Sequence, residues 1–429
     1  MPTYKAIQGT HDILPDAEMA WRFVETIVKA TCERYGYQRI ETPIFEETGV
    51  YARGVGEGTD IVEKEMYTFK DRGGTSLTLE PEGTAGVVRA YLEHGMFTQP
   101  QPVKLYYLRT PIFRYERSQK GRYREHHQFG CEALGESDPA LDAEMIALLW
   151  EIYQRLGARD IAIQINSIGD GNCRPAYIQR LVDYYTPLKD DLCDDCKVRL
   201  VKNPLRLLDC KEERDQPKIA AAPKSSDYLC DPCKAHFATV RGLLDALHLP
   251  YSVNPLLVRG LDYYARTVFE LAPVQSGRRQ NAIGGGGRYD GLAELLGGKP
   301  TPGIGFGSGM ERAVELLKEQ GVAIPAAPTP QVFIAALGAE AKTAALVLAN
   351  DLRGEDLRVQ IAFGERSLKA QMKAANTSNA RWAVIIGSGE LESGAFIVRD
   401  LAAAADTPDA EKQQTIPRAD LVKWLTERV

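Results

Sequence analysis

Apolar and polar positions in the N-terminal part of the chain predict one helix and then several strands. Apolar residues recur at helical spacing over 23–28, after Asp16 as a candidate helix cap, and this pattern ends near Gly36. The next segment is strand-like but contains Pro43, and a proline inside a strand belongs at an edge, a bulge or an interface. Short β-like runs separated by turn and helix signals then continue over 76–135. This region is therefore predicted to be α+β, with an antiparallel sheet and helices on one side.

The pattern changes between about 171 and 243, where two CxxC pairs and many charged residues replace the strand-like runs. We interpret this segment as a mostly helical insertion, because sheet-like sequence resumes at Tyr251 and completes the first sheet. Closely spaced prolines over 323–330 predict a stiff linker. The chain is thus predicted to have a first domain over 1–325, interrupted by the insertion, and a second domain over 331–429.

Strand-like and helical runs alternate throughout the second domain. This alternation predicts a small α/β domain with a mainly parallel sheet. No internal repeat is evident in the sequence.

Composition and charge narrow the class of protein without naming a function. The 429 residues include 52 Lys+Arg and 58 Asp+Glu, giving a net charge of 52 − 58 = −6, with 44% hydrophobic and 26% charged residues. These values exclude the disordered and fibrous classes. No apolar stretch approaches the roughly 20 residues of a membrane helix, and the N-terminus has no signal-peptide pattern. We therefore expect a cytoplasmic protein with no membrane partner.

The densest group of charged residues is FRYERSQKGRYREHHQFGCE, which spans residues 113–132. A solvated, salt-bridged hairpin would show the same alternation of charges and aromatic residues. Alternatively, Arg114, Arg122 and neighbouring carboxylates form a polyanion site, because guanidinium groups bind phosphate oxygens bidentately. Such arginines on a rigid hairpin suit a nucleoside triphosphate.

Glycines recur at every second position of GIGFGSGMER, residues 303–312, so one face of the predicted strand carries no side chains. Either a helix packs closely on that face, or a ligand such as a flat adenine ring lies against it. The sequence has no GxxxxGK[ST] phosphate loop and no GxGxxG unit between a strand and a helix, so P-loop and dinucleotide sites are excluded. A third segment, LVRGLDYYARTVFE, places Arg259 in an apolar, strand-like run, where a cation must be paired or must face a ligand.

Six segments together resemble the bacterial histidyl-tRNA synthetases, a family of class II aminoacyl-tRNA synthetases, over essentially the whole chain. In chain order, the matching segments are YGYQRIETPIFE, TLEPEGTAG, FRYERSQKGRYREHHQFGCE, LVRGLDYYARTVFE, IGGGGRYDGL and GFGSGMER. The resemblance implies an antiparallel class II catalytic core, an insertion that contacts the acceptor arm of the tRNA, and a C-terminal anticodon-binding domain. It also implies a homodimer that uses L-histidine, ATP with Mg²⁺, and a histidine tRNA.

The resemblance implies a role for each residue that occupies a motif position. By it, Arg114 and Arg259 are catalytic and contact the substrate carboxylate and the α-phosphate, and Pro43 lies at the dimer interface. The other implied contacts are Glu82, Gly83, Thr84 and Gln128 with the histidine amino end, Glu132, Tyr263 and Tyr264 with its imidazole, Glu116 with adenine, and Arg122 and Arg312 with the outer phosphates. No active-site metal ligand is assigned, because the six histidines show no metal-ligand spacing.

Four positions depart from the usual family residues, namely Glu80, Ser118, His126 and Ala265. Glu80 matters most, because it reverses the usual charge two residues from Glu82. The CxxC pairs at Cys193 and Cys230 have spacing compatible with one structural zinc site, to which Cys210 could add a ligand. Reduced structural thiols explain the same pairs.

Two alternative functions follow from related sequences. The first is the noncatalytic, synthetase-like regulatory subunit of ATP phosphoribosyltransferase. It is opposed by the complete histidine signature and by the domain after Pro330. The second is a synthetase of the same subclass for another amino acid. Glu132 and the LVRGLDYY segment favour histidine.

Overall fold

The protein is described by a computed structural model that covers residues 4–56, 59, 61–115, 123–274, 282–404, 407–408 and 412–428. The chain divides into two compact units, Met1–Pro325 and Ala326–Val429. None of the helices in the covered ranges combines the length and the apolarity needed to cross a bilayer.

The first unit contains strands β1 to β11 and helices α1 to α10. Its strands are β1 (Gln38–Arg39), β2 (Phe45–Glu47), β3 (Thr68–Lys70), β4 (Ser76–Leu79), β5 (Val103–Phe113), β6 (Glu125–Leu134), β7 (Ile161–Ser167), β8 (Tyr251–Val253), β9 (Ala265–Pro273), β10 (Gly284–Arg288) and β11 (Gly303–Gly309). Its helices are α1 (Pro15–Arg34), α2 (Thr48–Val55), α3 (Gly83–Glu93), α4 (Pro139–Arg155), α5 (Arg174–Tyr185), α6 (Asp194–Lys202), α7 (Gln216–Ala220), α8 (Asp231–Ala246), α9 (Leu292–Leu295) and α10 (Met310–Glu319).

The large sheet of this unit has eight strands in the order β1-β5-β6-β11-β10-β9-β7-β8. Its six inner strands, from β5 to β7, pair antiparallel, and the two edge strands β1 and β8 pair parallel to their neighbours. A separate small sheet contains β2, β4 and β3. The α+β class and the antiparallel core predicted from the sequence are confirmed.

Helices cover both faces of the large sheet, whereas the sequence predicted helices on one side. On β5, Tyr106 belongs to one apolar core and its neighbours Leu105 and Tyr107 belong to another. Because successive residues of a strand point to opposite faces, the two cores lie on opposite sides of the sheet. Residues of α1, α4 and α10 fill the first core, and residues of α3 and α5 fill the second. The insertion therefore supplies part of the second layer, together with α3.

The predicted cap of α1 is wrong. The helix begins at Pro15, and Leu14 occupies the cap position without a side-chain hydrogen bond. Proline at the first helical position is favourable because the N–H that it lacks would have no partner there. Asp16 lies in the first turn, where its negative charge favours the helix dipole.

The segment between β7 and β8 is helical and contains α5 to α8 together with short 3₁₀ turns. Its last helix, α8, packs against α4, and Val240 and Leu244 of α8 join the first core. The end of the insertion is thus anchored on the face of the sheet opposite to α5.

The second unit has a mixed sheet, whereas a mainly parallel one was predicted. Its elements are β12 (Val332–Ala336), α11 (Ala339–Gly354), β13 (Val359–Ile361), α12 (Leu368–Thr377), β14 (Trp382–Ile386), α13 (Ser388–Ser393), β15 (Ala395–Asp400), β16 (Gln413–Pro417) and α14 (Arg418–Thr426). Strands β13, β12 and β14 are parallel, and β15 and β16 continue the sheet antiparallel. The six-residue helix α13 explains the change, because a parallel crossover requires about a dozen residues.

A fully buried ion pair joins the sheet to its helices. Arg288 of β10 and Asp142 of α4 have no exposed side-chain surface, and the Arg288 Nε donates to Asp142 Oδ1 at 2.6 Å. His236 of α8 lies with its Nε2 2.8 Å from the other Asp142 oxygen. Arg288 also donates to the backbone carbonyls of Glu136 and Asp138. Three elements that are distant in sequence are thereby held together.

Substitution of Asp142 should therefore be strongly destabilising. Asp142→Asn would remove the buried charge partner of Arg288 and leave it only Asp290, which is partly exposed, at 3.1 Å, and we expect a loss of about 3–5 kcal/mol. The control is Glu144→Gln on the same helix, whose half-exposed pair with Lys104 should contribute less than about 1 kcal/mol. Urea unfolding followed by tryptophan fluorescence checks both values. Equal losses in the two variants would contradict the importance of the buried pair.

Candidate active site

Glu132 lies in the middle of the large sheet, with a side chain that is fully buried. It stands on β6 directly opposite Gly305 of β11. A Cβ atom at position 305 would lie 1.7 Å from Glu132 Oε2, so only glycine leaves room for this carboxyl group. The predicted bare face of β11 exists. At Gly305 a side chain of the site itself lies against it, instead of the ligand or packed helix that the sequence suggested.

Two hydroxyl groups hold the Glu132 carboxyl. Thr84 Oγ1 donates to Oε1 at 2.8 Å, and the Tyr289 hydroxyl donates to Oε2 at 2.5 Å. Burial raises the pKa of Glu132 to about 8, and the charge of Glu82 adds to the rise, although these two hydrogen bonds oppose it. The Glu132 carboxyl thus has a pKa near neutral pH, and a ligand that donates a hydrogen bond to it would favour its ionised form.

Tyr289 was not assigned a role by the sequence, although it lies within the IGGGGRYDGL segment that carried the resemblance. The sequence feature that pointed to Tyr289 was its position directly after the glycine strand β10. Its ring lies 5.8 Å from that of Tyr263, and the Tyr263 ring lies 4.7 Å from that of Tyr264. These three buried tyrosines form an aromatic wall beside Glu132.

Glu82 caps the N-terminus of helix α3 and connects it to the aromatic wall. Its two carboxylate oxygens accept hydrogen bonds from the backbone N–H groups of Thr84 and Ala85, at 3.0 and 2.8 Å. The Tyr263 hydroxyl donates to Glu82 Oε2 at 3.1 Å. Burial raises the pKa of Glu82, although the two amide hydrogen bonds work against this rise. A carboxylate has about four acceptor positions, so Glu82 retains capacity for a ligand.

Arg259 lies in the loop before β9, and the prediction that it belongs to a strand is wrong. The strand begins only at Ala265, because the preceding residues around Gly260 form bends and turns. The Arg259 guanidinium donates to Glu270 on β9 and is partly buried. A Cβ at Gly285 of β10 would lie 2.9 Å from Arg259 Nη1, so the glycine strand also makes room for this cation. The cation is paired, as its position required.

Arg114 follows β5 at the other side of the site. Its Nε donates to the carbonyl of Pro81 at 2.7 Å, which ties it to the segment before α3, and its charge favours the ionised form of Glu82. Burial lowers the pKa of His126 to about 3, and the positive charges of Arg114 and Arg312 add to this effect. His126 is therefore a neutral ring between two arginines. Its departure from the usual family residue is compatible with a cationic site.

The remaining assigned residues differ in how well they are placed. Gln128 lies on β6, and its Oε1 would be 3.1 Å from a Cβ at Gly307, so it covers the glycine face next to Glu132. Arg312 lies in the first turn of α10 and donates to the carbonyl of Ala282. Pro43 is exposed between β1 and β2. Glu116 and Arg122 lie outside the described residues.

Glu80 is buried near Glu82, and the Thr42 hydroxyl is the polar side chain beside its carboxyl group. Burial raises the pKa of Glu80 to about 9, and the nearby charges of Glu82 and Glu46 reinforce the rise. The carboxyl is therefore neutral at pH 7. The charge reversal noted in the sequence does not place a second negative charge beside Glu82.

The site as a whole combines two chemical halves. A buried acid and three tyrosines form one half, and arginines after β5, on α10 and in the loop before β9 form the other. The first half suits a polar aromatic ring with hydrogen-bonding nitrogens, and the second suits carboxylate and phosphate groups. Such a site can hold an amino acid with an imidazole side chain against a nucleotide.

Comparison with known proteins agrees with this geometry. The family described as "Histidyl-tRNA synthetase" matches residues 9–169 and 206–313, and the family described as "Anticodon binding domain" matches residues 331–428. The chain is 52% identical to a histidine–tRNA ligase of Dehalococcoides mccartyi, covering 99% of this chain and 100% of that protein. It is 48% identical to the same enzyme of Desulforamulus reducens, covering 98% of each.

Solved structures give the same result. The apo histidyl-tRNA synthetase of S. aureus superposes with a TM-score of 0.81 at 38% identity, covering 99% of this chain and 100% of that one. A structure described as an ATP phosphoribosyltransferase regulatory subunit/histidyl-tRNA synthetase, from Bacillus halodurans, has a TM-score of 0.63 at 21% identity, covering 90% of this chain and 98% of that one. The second likeness shows the fold alone.

The raised pKa of the buried Glu80 predicts how the stability of the protein depends on pH. A glutamate in the unfolded chain has a pKa of about 4.3, whereas burial raises the pKa of the native Glu80 to about 9. Between these values the unfolded chain releases a proton that the native protein retains, so native stability falls as pH rises. Glu80→Gln removes this pH dependence, so the free energy of unfolding of the variant should rise relative to that of the parent by up to about 1.4 kcal/mol per pH unit.

Urea unfolding at pH 6 and pH 8 measures this gain. Glu41→Gln, at a side chain that is 82% exposed, is the control and should show no pH-dependent difference. A gain for Glu80→Gln that is the same at both pH values would show that Glu80 is ionised in the native protein.

Proposed function

The chain belongs to the histidyl-tRNA synthetase family, which makes it an aminoacyl-tRNA synthetase for histidine, and we propose that the site described above performs the reaction. In the first step ATP activates L-histidine to histidyl-adenylate. In the second step the histidyl group passes to the 3′ end of the histidine tRNA. The observation that carries this proposal is the buried Glu132, held by Thr84 and Tyr289 beside the aromatic wall.

The pocket around Glu132 suits imidazole because the two have complementary hydrogen-bonding groups. Neutral imidazole offers one N–H donor and one nitrogen acceptor, which a carboxylate and a tyrosine hydroxyl such as Tyr264 can satisfy. An amino acid without these nitrogens would leave buried polar groups unpaired, a penalty of roughly 10⁴–10⁵ in discrimination. Histidine is thereby selected at the binding step, without an editing domain.

The remaining proposed contacts follow the family resemblance. We assign the histidine amino end to Glu82, Gly83, Thr84 and Gln128, the imidazole to Glu132, Tyr263 and Tyr264, the carboxylate and α-phosphate to Arg114 and Arg259, the adenine to Glu116, and the outer phosphates to Arg122 and Arg312. The described members of this set surround one site, which supports the assignment.

Activation transfers the adenylyl group from pyrophosphate to histidine. A carboxylate oxygen of histidine attacks the α-phosphorus of ATP, the bond to the bridging oxygen breaks, and pyrophosphate leaves with Mg²⁺, which enters with ATP as part of the substrate. The tasks of the protein are alignment and neutralisation of the charge that spreads in the transition state, and we assign them to Arg114 and Arg259. The tRNA 3′-terminal hydroxyl then attacks the histidyl carbonyl, and AMP leaves.

The regulatory-subunit alternative is not supported. The relatives that match at about 50% identity over their full lengths are histidine–tRNA ligases. The regulatory-subunit likeness is at 21% identity and concerns the fold.

We further propose how the chain is organised around this reaction. The catalytic domain spans 1–325 with an insertion at about 171–243 that contacts the acceptor arm, a linker spans 323–330, and an anticodon-binding domain spans 331–429. We propose a cytoplasmic homodimer with Pro43 at its interface. Ile44 and Phe45, which follow Pro43, are 44% and 47% exposed, and such apolar side chains suit a subunit contact.

Pyrophosphate exchange into ATP tests the activation step. With each of the twenty amino acids offered separately, we expect exchange with histidine alone. Arg259→Ala should lower the rate about 10²–10³-fold, because it removes one transition-state cation. Arg155→Ala, at a partly exposed arginine of α4 paired with Glu151, is the control and should retain activity. Exchange with another amino acid, or an unchanged rate in Arg259→Ala, would refute the assignment.

Substitution of Glu132 separates amino-acid recognition from nucleotide binding. Glu132→Gln retains the shape of the side chain but cannot ionise when a ligand donates a hydrogen bond to it, so we expect kcat/KM for histidine to fall roughly 10²-fold or more. The KM for ATP should change much less, because Glu132 lies among the tyrosines and not among the arginines. Steady-state exchange kinetics with each substrate varied in turn give both values. Equal losses for histidine and ATP would count against this role of Glu132.

A further inference from the structure

Six of the eight cysteines lie in the insertion, and the structure gathers them into two clusters. The inner cluster consists of Cys193, Cys196, Cys210 and Asp215, and the base cluster consists of Asp170, Cys173, Cys230 and Cys233. In each cluster the four candidate ligand atoms all lie within 4.8 Å of one another. The sequence had suggested one site made by both CxxC pairs. Instead, each pair joins a different cysteine and a different aspartate.

The inner cluster has the dimensions of a tetrahedral zinc site. Cys193 Sγ lies 3.7 Å from Cys210 Sγ, and Cys210 Sγ lies 3.5 Å from Asp215 Oδ2. Four ligands around zinc at about 2.3 Å for sulfur and 2.0 Å for oxygen are separated by about 3.5–3.8 Å. A disulfide bond would require a sulfur–sulfur distance of about 2.05 Å.

Two backbone N–H groups point at sulfur atoms of the inner cluster. The backbone N–H of Cys196 donates to Cys193 Sγ at 3.3 Å, and the N–H of Glu212 donates to Cys210 Sγ at 3.4 Å. All four cluster residues are buried, and Asp215 Oδ1 has no hydrogen-bond partner. The Lys218 ammonium comes no closer to that oxygen than 3.8 Å. A buried acid among thiols is costly unless a cation compensates it.

The base cluster repeats these dimensions with separate residues. Cys173 Sγ lies 3.9 Å from Cys233 Sγ, and Asp170 Oδ1 lies 3.8 Å from Cys173 Sγ and 4.0 Å from Cys230 Sγ. The other Asp170 oxygen is held by Arg266 at 3.3 Å, which fixes the direction of the first. Such an outer hydrogen bond commonly orients a metal-bound carboxylate.

The position of the base cluster explains what a metal there would do. Asp170 and Cys173 precede α5, the first helix of the insertion, whereas Cys230 and Cys233 lie at the start of α8, its last helix. Arg266 belongs to β9 of the large sheet. An ion bound by these residues would therefore close the insertion at its base and link it to the sheet.

From these two clusters we propose that the insertion binds two zinc ions, each held by three cysteine thiolates and one aspartate. Thiolate-rich tetrahedral sets select zinc over Mg²⁺ and Ca²⁺, which prefer oxygen ligands. The ions are structural, because each cluster offers four protein ligands and so leaves no open position for a substrate. The proposal is independent of the catalytic assignments, since its test measures metal and not activity.

Metal analysis of the full-length chain tests the proposal. Protein produced without an affinity tag in zinc-supplemented medium and then dialysed should contain two zinc ions per chain. Cys196→Ser and Cys233→Ser should each lose one ion. Cys32→Ser is the matched control, because Cys32 is also buried and lies 3.4 Å from the Cys131 sulfur, yet belongs to neither cluster. That variant should keep both ions.

Cobalt substitution of the unaltered chain supports the test if a serine variant fails to fold. Two equivalents of Co²⁺ should give thiolate charge-transfer absorption with the strong visible bands of tetrahedral coordination. Metal that dialysis removes, together with eight titratable thiols, would overturn the proposal in favour of reduced structural cysteines. A single retained ion that only one of the two serine variants removes would overturn it for the other cluster.

Discussion

A buried carboxyl group at the centre of an antiparallel sheet is the constraint on which the rest of this structure depends. Glu132 can stand there only because β11 offers a glycine directly opposite and because Thr84 and Tyr289 donate to its two oxygens. The sheet gives up side-chain packing at that glycine and gains space for a buried polar group. Once this acid is in place, it holds Tyr289 and the first turn of α3 through these two hydrogen bonds.

The cationic half of the site is built from segments that are distant in sequence. Arg114 follows β5, Arg312 begins α10, and Arg259 lies in the loop before β9, where Glu270 holds it. The rigid sheet brings these segments together, and the buried pair between Arg288 and Asp142 fixes the sheet to its helices. Alignment of two substrates requires such rigidity, because activation here depends on positioning and charge neutralisation and not on a covalent enzyme intermediate.

Local patterns predicted much of this architecture, and tertiary context explains what they missed. Alternating glycines indicated a bare strand face, but only the register between β6 and β11 shows that Glu132 fills it at Gly305. The position of Tyr289 after the glycine strand does not reveal its role, since that role depends on a carboxyl 157 positions away along the chain. The predicted grouping of the cysteines was wrong for the same reason, because spacing along the chain does not determine which CxxC pair lies beside which aspartate. The alternation of strands and helices predicted a mainly parallel second sheet, but the connection α13 is too short for a parallel crossover, so β15 runs antiparallel.

We propose above that Glu132 recognises the imidazole of histidine through a hydrogen bond. The most direct measurement is ¹⁵N NMR of ring-labelled histidine bound to the protein across pH 6 to 8.5. We expect the bound ring to keep an N–H directed at Glu132 over this whole range, and Glu132→Gln to abolish this protection. A bound ring that titrates like free histidine, with a pKa of about 6.5, would show that the Glu132 carboxyl does not contact it.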